Sequence, residues 1–127
     1  MKLETYCSAT SIFIRISGRI VLDDCETFKS RIYPLFQQRK AAQVAIDLEH
    51  ADFIDSAGLG ALVGLKTRAN QNNARFMLVE PSPPIDEILN ISKLSTIFDI
   101  LTGLDAKTLR ATLARSEFLL PDSAPGA

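Results

Sequence analysis

The sequence predicts an α/β domain: a mixed sheet of four or five strands covered mainly on one side by about four helices. Ile12, Ile14 and Ile16 alternate with Phe13 and Arg15, the period-two pattern of a half-buried strand. The stretch Val44 to Leu48 is nearly continuous in apolar residues, as expected of a central strand covered on both faces. Beyond it, strand and helix patterns alternate, an order that implies parallel neighbours joined by right-handed crossovers.

Taken in order, Leu3, Thr5 and Cys7 suggest a short first strand. The polar Ser8-Ala9-Thr10 makes a hairpin to the strand Ser11 to Ser17 plausible, and Gly18 ends that strand. From Asp24 to about Gln38, the residues Cys25, Phe28, Ile32, Leu35 and Phe36 fall on one helical stripe, with Asp23 or Asp24 as N-cap and a kink expected at Pro34. The strand Gln43 to Leu48 leads through a connection, Glu49 to Ser56, into a helix from Ala57 to about Asn70 with Leu59, Leu62, Val63 and Ala69 inward. Arg75 to Val79 reads as a strand, and Pro81 to Pro84 as a turn opening a helix with Ile85, Ile88 and Leu89 inward. Ile97 to Ile100 is a further strand candidate. Asp105 is expected to cap a last helix that turns Ala106, Leu109 and Leu113 inward.

A chain of 127 residues has room for one core, so residues 1–116 are read as one domain and 117–127 as a flexible tail. With 14 Lys and Arg against 15 Asp and Glu, nothing draws the chain to nucleic acid or an anionic membrane. A protein or small-ligand partner fits better. No stretch reads as a signal peptide or a membrane span, which predicts a cytoplasmic protein. Cys7 and Cys25 lack metal-ligand spacing and are expected to be ordinary buried or half-buried thiols, and no metal or cofactor is expected. His50, alone of its kind, reads as a solvated loop residue.

The densest information lies in Phe53-Ile54-Asp55-Ser56-Ala57-Gly58-Leu59-Gly60, which follows a strand ending Ile46-Asp47-Leu48. Asp55 or Ser56 is the helix N-cap, because a short side-chain oxygen there satisfies orphaned backbone N–H groups. The run Asp-Ser-Ala-Gly-Leu-Gly closely resembles the STAS-domain signature of anti-sigma factor antagonists. Ile16 to Ile20 looks like that family's second strand and turn, and Ile88 to Ile100 like its third helix and closing strand, so the likeness covers about residues 10–100. What it implies is the STAS fold and a partner-switching circuit. Ser56 maps onto the phosphoacceptor, an anti-sigma factor with serine kinase activity binds the unmodified form, and a serine phosphatase restores it. The domain itself carries no catalytic residue. The partner surface is expected on Asp23, Asp24, Asp55, Ser56, Ala57, Gly58, Leu59 and Gly60, where loops at the carboxyl ends of parallel strands converge. One departure stands out: the acid that often follows the family's turn glycine by three residues is here Val21, leaving Asp23 or Asp24 to substitute.

Three rival readings compete with this one. Gly58, Gly60 and Gly64 form a G-x-G-x-x-x-G string with Glu80 at a ribose-binding distance, but Gly58, the first of the glycines, lies ten positions beyond the strand end at Leu48, which argues against a nucleotide-binding enzyme. A serine hydrolase would need glycine at Ile54. An unphosphorylated STAS adaptor in a transport or scaffold complex keeps the fold and returns Ser56 to a capping role. The helical glycines serve either packing on the sheet or a partner's close approach.

Overall fold

The computed structural model describes residues 1–38 and 40–115, with side chains as far as residue 112. The expected tail, residues 117–127, and the side chain of Leu113 lie outside the described residues. The elements run β1 (Lys2–Cys7), β2 (Ser11–Ile20), α1 (Cys25–Gln38), β3 (Gln43–Asp47), β4 (Ala51–Ile54), α2 (Ser56–Gln71), β5 (Arg75–Val79), α3 (Pro83–Ile91), β6 (Asp99–Leu101) and α4 (Gly103–Arg115). Short 3-10 turns, Leu22–Asp24 and Leu94–Thr96, precede α1 and β6.

The sheet is mixed, in the order β1-β2-β3-β5-β6, with β1 antiparallel to β2 and the other neighbours parallel. As expected, the apolar run from Val44 lies at its centre. A sixth strand, β4, was missed: the expected loop from Glu49 to Ser56 contains it, and it pairs with β2 beyond the end of β3. Its burial order explains the omission. Ala51 and Ile54 are buried while Asp52 and Phe53 are exposed, which matches no strict alternation. The pairing steps from Gly18 opposite Ala51 to Arg19 opposite Phe53, so Asp52 is an extra residue that breaks the period.

Gly18 accordingly does not end β2. It sits at φ +85°, where the strand passes through an irregularity and continues to Ile20. The helix α1 runs on through Pro34; of its predicted stripe, Phe28, Ile32, Leu35 and Phe36 are buried and Cys25 is half-buried. Asp24 does not cap it directly; its carboxylate accepts from the Val21 N–H at 2.8 Å and closes the 3-10 turn ahead of it. In α2 the inward stripe is Gly58, Leu62, Leu65 and Ala69, with Leu59 and Val63 at its half-buried edge rather than at its centre.

The two faces of the sheet are covered unequally. Ile12, Ile14, Ile16, Val44, Ile46, Phe76 and Leu78 face α1, α2 and α3. On the other face, Phe13, Ala45, Met77 and Val79 pack against Ala106 of α4. That last helix begins earlier than expected. Its end is satisfied by Glu80, whose Oε1 accepts from the Gly103 N–H at 2.6 Å, while Asp105 sits in the first turn.

Candidate functional site

The segments following β2 and β4 meet at the carboxyl end of the sheet, and Asp55 joins them. Its Oδ1 accepts from the Gly58 N–H at 2.8 Å, which makes it the N-cap of α2. Its Oδ2 accepts from the Leu22 N–H at 3.1 Å, and its own N–H donates to the Ile20 carbonyl at 3.2 Å. The Cys25 thiol adds a contact to the Ala57 carbonyl at 3.6 Å. Burial, and next the Asp55 carboxylate, raise the Cys25 pKa, so the thiol stays protonated at neutral pH and keeps its donor role.

The alternative between Asp55 and Ser56 as cap is thereby decided. Ser56 is the first helical residue, and its side chain is exposed. Replacing Asp55 by Ala is expected to cost about 1–2 kcal/mol, since both the cap and the tie to Leu22 are lost. Ser56→Ala should change stability by less than about 0.5 kcal/mol, as an exposed position with no capping role. Urea unfolding of the two variants beside the parent chain checks both values.

The three glycines of α2 separate into different roles. A Cβ on Gly58 would lie 2.4 Å from the Ile20 carbonyl oxygen and 2.7 Å from Ile54 Cγ1, so this residue lets α2 approach the sheet. Gly58, expected among the partner-facing residues, is therefore buried in packing. Gly64 lies under the Tyr33 hydroxyl, which a Cβ would approach to 3.0 Å. At Gly60 a Cβ would meet nothing within 4 Å, and the residue is exposed one turn from Ser56. Gly60→Ala should thus stabilise the free protein by about 1 kcal/mol through helix propensity. A thermal melt shows that gain. If a partner backbone uses the open space, binding falls although the fold is firmer.

Asp23, Ser56 and Gly60 are the exposed members of the predicted set; Asp24, Asp55, Ala57 and Leu59 are half-buried. With Asp24 engaged on Val21, Asp23 is the freer acid of the pair left to substitute at that turn. Two apolar neighbours, inside the segments Val21 to Asp24 and Glu49 to Ser56 expected at this surface, are not among the residues named for it. Leu22 is 68% exposed beside Asp55, and Phe53 is 38% exposed with the Arg19 guanidinium 4.7 Å above its ring. Phe53 lies within the motif itself, but only the extra residue Asp52 turns it outward, and the pairing register was not visible in the sequence.

Nothing here resembles a phosphate cradle for a nucleotide. The strand β4 ends much nearer Gly58 than Leu48 does, so the spacing that argued against a dinucleotide fingerprint does not hold as stated. The stronger reason is geometric: Gly58 and Gly60 lie within α2, and Glu80 is engaged on α4. Among the described residues, no group of three or more His, Cys, Asp and Glu could hold a metal ion. Among those residues no helix is long and apolar enough to cross a membrane.

Comparison with known proteins agrees with this geometry. The family model described as the STAS domain matches residues 2–114. An anti-sigma F factor antagonist of Paenibacillus polymyxa is 25% identical over 89 residues, covering 70% of this chain and 76% of the relative. The fold is similar to the anti-sigma factor antagonist SpoIIAA in its unphosphorylated form, with a TM-score of 0.74 at 18% identity over 89% of this chain and 97% of the other. It is also similar to the phosphorylated form of the Bacillus protein, with a TM-score of 0.68 at 18% identity over 87% and 99% of the two chains. Part of the murine anion transporter Slc26a9 shares the architecture too, with a TM-score of 0.67 at 11% identity over 84% of this chain and 18% of the transporter. Likeness at these identities speaks for the fold; what the fold does is decided at its site.

Proposed function

This chain belongs to the STAS domain family, and from that premise we propose that it is a bacterial, cytoplasmic anti-sigma factor antagonist controlled by phosphorylation of Ser56. In its free form it binds an anti-sigma factor that is also a serine protein kinase. Transfer of phosphate to Ser56 releases the complex, and a serine phosphatase resets it. The domain, read as residues 1–116, acts as a regulator and substrate, with the nucleotide held by the partner.

One observation carries this reading above the adaptor alternative: the Ser56 hydroxyl is free for chemistry. Had Ser56 been the cap, its oxygen would be committed to the backbone. Asp55 fills that role instead and leaves an exposed serine on a rigid first turn. The relatives named above as anti-sigma factor antagonists support the circuit.

Incubation with the cognate kinase and ATP, followed by peptide mass spectrometry, tests the site. A single phosphate on Ser56 is expected. Phosphate on Ser82 or Ser95 with Ser56 untouched would leave the adaptor reading standing. The same kinase, added to labelled protein, should shift NMR signals of Val21 to Asp24 and Glu49 to Gly60 and spare Leu109. Lys66→Ala serves as a surface control, whereas Arg68 does not, because its guanidinium stacks 4.3 Å over the Tyr33 ring.

A further inference from the structure

Asp47 closes β3 and is fully buried, an unusual place for a carboxylate. Arg110 of α4 holds it as a fork, with Nε 3.2 Å from Oδ2 and Nη2 3.0 Å from both oxygens. Arg15 of β2 adds a second cation, its Nε 3.5 Å from Oδ2. The same carboxylate also faces the chain ahead: Asp47 Oδ1 accepts from the Glu49 N–H at 3.0 Å, while Arg110 Nη1 lies 3.7 Å from Glu49 Oε2.

This arrangement has a position that matters. β3 and β4 both pair with β2, and the short turn from Leu48 to His50 steps from one to the other. Its hydrogen bonds run outward from the step. The His50 carbonyl accepts from Gly18 N–H at 3.0 Å, and the Leu48 carbonyl from Ala51 N–H at 3.2 Å and Ser82 N–H at 3.3 Å. The Ser82 hydroxyl donates to the Ala51 carbonyl. β4 then delivers Asp55 and Ser56 without an intervening loop. An aspartate whose side chain bonds the N–H two residues on sets the shape of such a turn.

We infer that Arg110 is a positioning residue: by fixing Asp47 it makes α4, on the far face of the sheet, a control point for the segment that presents Ser56. A macromolecule or modification that lifts α4 would then loosen the phosphoacceptor without touching it. The inference rests on the switch reading only for its effect on the kinase; its structural part stands by itself.

The test compares Arg110→Ala with Leu109→Ala, which loosens the packing of α4 but leaves the carboxylate fork in place. Amide hydrogen exchange in the full chain, without partner, is read first. Arg110→Ala should speed exchange at Glu49, Ala51 and Asp55 by about tenfold relative to Leu109→Ala, the change that losing roughly 1.4 kcal/mol of local protection gives. Arg110→Lys, which keeps the charge and loses the fork, should fall between. With kinase and ATP, Arg110→Ala should raise the KM for this protein more than it lowers kcat, as Ser56 itself is unchanged. Equal exchange at these amides in Arg110→Ala and Leu109→Ala overturns the inference, as does faster exchange spread evenly over β1 and α1. A parent chain that no cognate kinase modifies on Ser56 defeats the switch reading instead, and leaves the exchange result to decide the positioning role.

Discussion

Phosphate on Ser56 is expected to weaken the complex with the cognate kinase by about a hundredfold or more. The modification adds about −1.5 to −2 charge at neutral pH to a residue that is exposed in the free protein. Within this chain it costs little, because the first turn of α2 offers the positive end of the helix dipole and solvent is at hand. The fold should therefore survive. Within a complex the same group sits next to the Asp55 carboxylate and must lose its water to a surface that had accommodated a neutral hydroxyl. A cost of about 3 kcal/mol is modest for such a charge and corresponds to slightly more than two orders of magnitude in Kd. Ser56→Ala should stay folded and bind the kinase constitutively. Ser56→Asp should release it only in part, since a carboxylate carries about half the charge of the phosphate. Isothermal titration of the kinase with modified and unmodified protein measures the difference. Equal affinity for both forms would end the switch reading.

Gly58→Ala should destabilise the protein by about 3 kcal/mol, the upper range for overpacking, even though alanine is the better helix former by about 1 kcal/mol. The new methyl group would stand 2.4 Å from the Ile20 carbonyl oxygen, a backbone atom already accepting from Asp55 N–H. Neither side can yield alone. To admit the methyl, α2 must tilt away from β2 and β4, and that movement strains the bonds from Asp55 to Gly58 and Leu22. A fall in Tm of about 10 °C is expected for a domain of this size. Gly60→Ala, two residues on, should move the other way. Opposite signs at neighbouring glycines in one helix are the signature to look for in paired melts, and a Gly58→Ala variant as stable as the parent would refute the close approach.

Ser56 itself was legible because residue types cluster there: a short acid, a hydroxyl and small residues following an apolar strand are a strong local pattern. The stripes of α1 and α3 and the central place of β3 were legible for a similar reason, as burial imposes a period on the chain. What failed did so where the period is interrupted. Gly18 looked like an end and is an irregularity within β2, and β4 vanished into a loop because Asp52 shifts its alternation. In α2 Leu62 and Ala69 face inward as expected, but Leu59 and Val63 sit at the edge and Gly58 and Leu65 take their place, since glycines at 58, 60 and 64 leave the stripe ambiguous.

By itself, then, the sequence determined the strands and helices other than β4 and which hydroxyl stands at the start of α2, because these follow from spacing and from short-range chemistry. Only the tertiary structure decided that Asp55 rather than Ser56 caps the helix, that Gly58 packs while Gly60 stays open, and that Arg110 reaches Asp47 from 63 residues away. The packing of Gly58 and the reach of Arg110 depend on which groups the fold carries into contact across long stretches of chain, whereas the cap, a bond over three residues, stayed open because Asp55 and Ser56 each offer a short side-chain oxygen.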